Sequence, residues 1–212
     1  MPDLDLDPGI RPLIEVAAVA AEGVLSGPAR PELRAAIETL CGRLRSENSG
    51  RLPSEIDALA PARTLYRAFG IDPTSTRPSS EALLRRILQG KPFPSVNGPV
   101  DVSNLCSATF LLPIGLYDAA KISGRVILRR GRAGESYAGI RKDDVHLVGR
   151  PVLADELGPF GNPTSDSMRT SVDASTASIW MVVFAPGRYP PDALIRHEAF
   201  VREAIDRYLR LP

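Results

Sequence analysis

The chain has 212 residues, of which 43% are hydrophobic and 24% charged, with 26 Lys and Arg against 25 Asp and Glu. Apolar and charged shares this near the globular average exclude a disordered tail, a collagen-like fibre and a membrane bundle, and the length suits one domain, 1–212, around one core. The net charge of +1 excludes a protein that coats nucleic acid by bulk charge, so any RNA contact has to come from a local patch.

Residues 1–9 read as an acidic tail carrying Asp3, Asp5 and Asp7. The following stretch LIEVAAVAAEGV mixes Val and Ile with helix-favouring Ala and reads as a strand. From Pro31, the residues Leu33, Ala36, Ile37, Leu40 and Leu44 recur at helical spacing behind a first-turn proline, predicting a helix that ends near Asn48, Ser49 and Gly50. Part of 54–69 forms a second helix, with Pro61 starting or kinking its later half and Gly70 closing it. Ser79 is placed as the N-cap of EALLRRILQ, with Gly90 beyond its end. KPFPSVNGP predicts an ordered loop, and VDVSNLCSATFLLP a helix with Val102, Leu105, Cys106 and Phe110 inward, stopped by Pro113 and Gly115.

From Ile122 the chemistry turns to β: RVILRR, ESYAGI, HLVGRPVLAD and TASIWMVVFAP are short β-branched or aromatic runs between Gly, Asp and Pro turns. Between the last two lies LGPFGNPTSDSMRTSVDAS, longer than a mere connection needs, and such loops carry function. A terminal helix over about 191–210 presents Leu194, Val201, Ile205 and Tyr208 on one face.

Cys41 and Cys106 stand far apart with no His or Cys at ligand spacing, and both read as core thiols. The N-terminus is acidic where a signal peptide is basic, and no apolar run approaches bilayer length, so a cytoplasmic protein without a membrane partner is expected. His146 and His197 have no partner at catalytic or ligand spacing, and neither a Walker loop nor a dinucleotide fingerprint is present. No cofactor and no metal are expected.

The stretch 121–150 holds Lys121, Arg125, Arg129, Arg130, Arg132, Arg141, Lys142 and Arg150 against Glu135, Asp143 and Asp144. Together with Arg77, Arg85, Arg86 and Lys91 it is either a phosphate-contacting face or a charged sheet edge kept from aggregating. Two further groups are candidates for a site. Asn104 and Ser107 lie three apart, on one face of a helix. The polar loop supplies Asp166, Ser167, Arg169 and Thr170, whose plainer reading is turn capping by Asp166 and Ser167 and an ion pair for Arg169.

The ordered series DPTSTRPSSEALLRRILQGKPFPSVNGPVDVSNLCS, PIGLYDAAKISGRVILRRGRAGESYAGI and LVGRPVLADELGPFGNPTSDSMRTSV, closed by the strand after Thr176, resembles the free-standing branch of the B3/B4 family. That domain is found in the β subunit of bacterial phenylalanyl-tRNA synthetase, and the resemblance covers about 62–185. It implies an α+β fold, a layered sandwich of sheets and helices, and association with tRNA through its acceptor end rather than with DNA. In the synthetase the domain hydrolyses tyrosine wrongly esterified to the tRNA for phenylalanine. Asn104 in VDVSN matches an Asn of the synthetase pattern. The synthetase's His in a PLHAFD-like motif falls on Gly115 of PIGLYD, and its late-strand acid falls on Trp180 or Met181.

A deacylase sets a water beside an ester carbonyl and stabilises the resulting oxyanion. The candidates for that work are Asp166 as base or water-orienter and Asn104 and Arg169 as oxyanion or ester-anchoring donors. Ser107, Gly115, Tyr117, Ser167 and Thr170 would line the pocket, and Arg77, Arg85, Arg86, Arg129 and Arg130 would contact RNA. The expected activity is therefore editing of mischarged aminoacyl-tRNA in trans; the alternative is a non-catalytic tRNA- or amino-acid-binding module of the same fold.

Overall fold

The computed structural model describes residues 2–140 and 143–211. The acidic N-terminal segment is not a tail. Leu4–Leu6 forms β1, which pairs in parallel with Val126, Ile127 and Leu128, and its alternating Leu and Asp place Leu4 and Leu6 against the core. Ile14–Glu22 is β2, as expected from its Val and Ile content. Pro31–Glu47 is α1, which buries Leu33, Ile37, Leu40, Cys41 and Leu44. Two short 3₁₀ turns lead into α2, Ala60–Ala68, whose second residue is Pro61; the proline begins this helix rather than kinking it.

Helix α3 spans Ser79–Leu88, and Ser79 is its first helical residue: Pro78 holds the capping position and no side chain caps it. Helix α4, Gly98–Phe110, begins two residues before the expected start, because the Asn97 side chain accepts from Val100 N at 2.9 Å. It ends at Leu111, which takes the left-handed conformation, φ 56°, while the Ser107 hydroxyl donates to Leu112 C=O at 2.7 Å. The reversal made there delivers Ile114–Asp118 straight into a strand, β3, where the sequence reading had only a helix stop. Strands β4 (Val126–Arg130), β5 (Ser136–Ala138), β6 (Asp144–His146) and β7 (Pro151–Asp155) follow. The opening of the supposed loop is a further strand, β8, Gly158–Gly161, whose Gly and Pro content hides it from propensity. The chain closes with β9, Ser178–Pro186, and α5, Pro191–Leu209.

The strands form two main sheets, β2-β9-β3 and β1-β4-β7-β8, beside a β5-β6 hairpin. Strand β9 is buried on both sides, which accounts for its unbroken apolar run. Ile179, Met181, Val183 and Ala185 meet the layer of α1, α3, α4 and α5. Trp180, Val182 and Phe184 point the other way, onto Val126, Leu128, Leu153 and Phe160 of the second sheet and Leu65, Tyr66 and Phe69 of α2 and its end. The layer order is therefore helices, sheet, sheet. Cys41 and Cys106 are free and buried in the helix-side core, and burial raises the Cys106 thiol to about 12. None of the helices is long and apolar enough to cross a membrane among the described residues.

Candidate functional site

The loop after β8 is held by its own side chains. Asn162 Oδ1 accepts from the amides of Thr164 and Ser165 at 2.7 and 2.9 Å, and its Nδ2 donates to the Tyr137 hydroxyl at 2.8 Å. Tyr137 donates in turn to Ser165 C=O at 2.6 Å, and Tyr66 of α2 donates to Pro163 C=O at 2.8 Å. With the backbone of Ser167 also bonded to Phe160 C=O at 2.9 Å, the segment has one way to lie. That arrangement turns Asp166 toward β3, the edge strand of its sheet, where Oδ2 accepts from Leu116 N at 3.3 Å.

The other carboxyl oxygen, Asp166 Oδ1, is closed off from solvent and has no hydrogen-bond partner; the same holds for the Tyr117 hydroxyl and Thr170 Oγ1. Burial pushes the Asp166 carboxyl up to about 7, although the Tyr117 hydroxyl and Leu116 N–H favour its charged form. Burial, and then the Asp166 charge beside it, raise the Tyr117 phenol well above its ordinary value. Asp166 as a residue is half-buried, with Oδ1 its enclosed oxygen, so Asp166 and Tyr117 form a neighbouring pair without a well-aligned bond between them, a proton-holding site at the edge of the core.

Two glycines make this arrangement possible. The Tyr117 ring packs edge-on against Phe160, centroids 5.1 Å apart, and its hydroxyl lies over Gly115 and Gly161, where a Cβ at either position would overlap it. Gly115→Ala is accordingly expected to destabilise the protein by about 1–3 kcal/mol through overpacking, read as a lower urea midpoint. Tyr117→Phe in the same chain removes only the nearest clashing atom, leaving ring carbons 2.6 and 2.9 Å from the new Cβ, and should restore only part of that loss. Tyr117→Phe alone, which deletes a buried hydroxyl without a partner, should be near neutral or stabilising.

The other predicted residues divide. Ser167 caps a single 3₁₀ turn by accepting from Arg169 N at 3.0 Å, and Thr170 is buried in that turn. Arg169 is held in a fork by Asp155, Nη1 to Oδ2 at 3.0 Å and Nη2 to Oδ1 at 2.8 Å, and it also donates to the carbonyls of Lys121 and Gly158. Asn104 is half-buried on α4 and makes no side-chain hydrogen bond among the described residues, whereas Ser107 is engaged by Leu112. Helix α4 packs on the helix side of the β2-β9-β3 sheet and Tyr117 on its opposite side, so the Asn104–Ser107 face and the Tyr117–Asp166 pair do not join. Trp180 and Met181 are core residues on opposite faces of β9.

Arg129, only 11% exposed, grips Glu135 with two bonds of 2.8 Å and is a structural residue of the hairpin. Arg130 is exposed, donates to Gly149 C=O at 2.9 Å and covers the Phe69 ring. Arg86 is exposed and bonded to Pro92 C=O. Arg77 and Arg85 surround Glu81 at 3.8 and 3.0 Å. Arg141 and Lys142 lie outside the described residues. The sequence reading passed over Asp155 and the tyrosines at 66 and 137, which build the loop; an acid at the last position of the strand PVLAD was the available signal for Asp155. A cavity of about 700 Å³ is lined by residues such as Glu22, Ala120, Ile122 and Arg210, and none of the predicted site residues lines it.

The fold that carries this site is a layered α+β architecture of the kind seen in the N-terminal fragment of the phenylalanyl-tRNA synthetase β subunit from Pyrococcus horikoshii. That crystal structure aligns with a TM-score of 0.51 at 13% identity over 96% of this chain, which spans 48% of the fragment. Residues 61–189 match the B3/4 domain, and the chain belongs to the B3/4 domain family. A search of the curated proteins finds no match.

Proposed function

We infer that this B3/4 domain protein binds the acceptor end of tRNA and hydrolyses the ester of a wrongly attached amino acid in trans. The observation that carries this reading is the Asp166 carboxyl, which lies half-buried beside Tyr117, has one enclosed oxygen without a partner, and is pushed up to about 7. A general base works best when its pKa lies near the operating pH. In the reading, the Asp166 carboxylate takes a proton from water as the water oxygen bonds to the ester carbonyl carbon. The bond to the ribose oxygen then breaks, the ribose oxygen regains a proton as the terminal hydroxyl, and the amino acid leaves as a carboxylate. An aminoacyl ester is already activated, so positioning supplies much of the rate. Tyr117 and Gly115 shape the space around the carboxylate. Asn104 lies across the β2-β9-β3 sheet from this pair and takes no part in the step, and Arg169 acts by holding the loop through Asp155.

The second reading is a non-catalytic tRNA- or amino-acid-binding module. It is favoured by Gly115 and Trp180 or Met181, where the synthetase pattern carries a His and an acid. A deacylation screen over correctly and wrongly charged tRNAs separates the two readings, with Asp166→Asn and Asn104→Ala as controls. Release of amino acid from at least one mischarged tRNA, lost with Asp166→Asn, is expected. Intact esters across the panel at high protein concentration, with retained salt-dependent tRNA binding, select the binding module.

A further inference from the structure

Between the outer parts of α2 and α3 lies a cavity of about 210 Å³ in which four arginines, Arg63, Arg67, Arg77 and Arg85, face a single carboxylate, Glu81. Glu81 sits in the first turn of α3 and its side chain is only 3% exposed. Its oxygens are already engaged: Oε2 accepts from Arg63 Nε at 2.8 Å and Oε1 from Arg85 Nε at 3.0 Å, with Arg77 Nε at 3.8 Å. Arg63 is fixed a second time by Pro53 C=O at 3.0 Å. Burial pushes the Glu81 carboxyl up, but the Arg63 and Arg85 bonds outweigh it and its pKa is lowered, so the group is charged at neutral pH.

Glu81 neutralises one of four positive charges. Among the described residues, Arg67 makes no side-chain hydrogen bond or ion pair, and Arg77 makes no hydrogen bond. Asp72, which feels the Arg67 charge, accepts instead from the amide and hydroxyl of its own neighbour Thr74. Guanidinium groups carry only donors, so beyond Glu81 and Pro53 C=O the lining has a surplus of N–H groups and of positive charge that no acceptor among the described residues takes up. A merely solvated basic surface would be mobile; here a buried glutamate holds two of the four side chains in register. A tetrahedral anion with several acceptor oxygens matches these forks better than a halide does.

We propose that this cavity is a phosphate-binding pocket, in which Glu81 holds Arg63 and Arg85 in place and Arg67 and Arg77 supply the donors that close on the phosphate. The phosphate belongs either to an RNA backbone or to a small phosphate ester, and the pocket does not depend on the hydrolytic reading. The test compares the full chain with the double variant R67Q/R77Q, which leaves the bonded trio of Glu81, Arg63 and Arg85 intact. Thermal midpoints are measured in inorganic phosphate and in chloride of equal ionic strength, and tRNA affinity is measured across a salt series. Equal midpoints of the two proteins in chloride establish that the variant is folded; if they differ, the single variants R67Q and R77Q replace it.

Phosphate is expected to raise the midpoint of the parent chain above its value in chloride and to leave the variant unmoved. For a backbone phosphate, the variant also loses about 10-fold or more in tRNA affinity and its salt slope falls by about one. That loss, with or without the inorganic phosphate effect, supports the RNA source. A phosphate effect with unchanged tRNA affinity supports a small phosphate ester. No advantage of phosphate over chloride together with identical tRNA binding by both proteins overturns the pocket. A parent chain that binds no tRNA at all refutes the RNA part of the proposed function, while the phosphate measurement still judges the pocket.

Discussion

Asp166→Asn is expected to remove deacylation and, above neutral pH, to make the protein more stable. Both effects come from one cause. The carboxyl is taken out of water with one oxygen left without a partner, and burial raises it to about 7 from an ordinary value of 3.8. A carboxyl raised in the folded state contributes its full share to stability only below its unfolded pKa. That share is lost as pH rises, progressively from about 4 up to about 7, because the unfolded chain ionises first. The folded protein therefore carries a penalty on the order of a few kcal/mol above pH 7. Asn keeps an oxygen for Leu116 N–H and carries no charge, so urea midpoints should favour the variant increasingly from pH 5 to pH 8. Deacylation by the parent chain should rise with pH through about 7, and in the variant fall by about 10²–10⁴-fold, the usual contribution of a general base. A stability difference independent of pH would falsify the assignment of a buried, raised carboxyl. Loss of the stability effect and loss of activity are separate readouts, so a structural role alone cannot mimic the pair.

The second large effect belongs to Asp155, whose side chain is fully enclosed. Beyond the two bonds from Arg169, it accepts from Ser123 N at 2.9 Å and Leu157 N at 3.0 Å, so that one carboxylate ties β7, the segment before β4 and the 3₁₀ turn of the 168–170 loop together. Burial pushes its pKa up, yet the Arg169 and backbone bonds prevail and lower it. The sign is the reverse of Asp166: the contribution is present above the unfolded carboxylate value and is lost as pH falls through the lowered folded one. Asp155→Ala leaves a guanidinium and two amides without partners and should cost about 3–5 kcal/mol at pH 7, measured by urea unfolding. Because Arg169 adjoins Ser167 and Asp166 in sequence, the same variant should loosen the 162–170 loop, seen as faster amide exchange there. Arg169→Lys retains the charge and loses the fork, and should recover only part of the stability.

Much of the architecture could be read from residue pattern because it follows local rules. The period of Leu33, Ile37, Leu40 and Leu44 specified α1, the face of Val201, Ile205 and Tyr208 specified α5, and the β-branched run of SIWMVVFAP specified a strand, whose burial on both sides the structure added. The ordered motifs likewise pointed to the B3/4 family and its layered fold. Strands β1, β3 and β8 escaped, since each is short, and Leu-Asp alternation, Ile-Gly-Leu-Tyr and Gly-Pro-Phe-Gly acquire strand character only through the neighbours that pair with them. The candidate site split in the same way. Asp166 and Tyr117, far apart in sequence, meet because the Asn162, Tyr137 and Tyr66 bonds turn the loop toward the edge of β3, and because Gly115 and Gly161 leave room for a phenol. Pattern offered an ion pair as the plainer reading of Arg169 without naming Asp155 as its partner, and it did not reveal that Arg129 is already gripped by Glu135. Local sequence therefore determined the helices, the longer β-branched strands and the family they compose, but not the short strands β1, β3 and β8. Only the tertiary structure decided which charges remain available, because burial and pairing are set by residues distant along the chain.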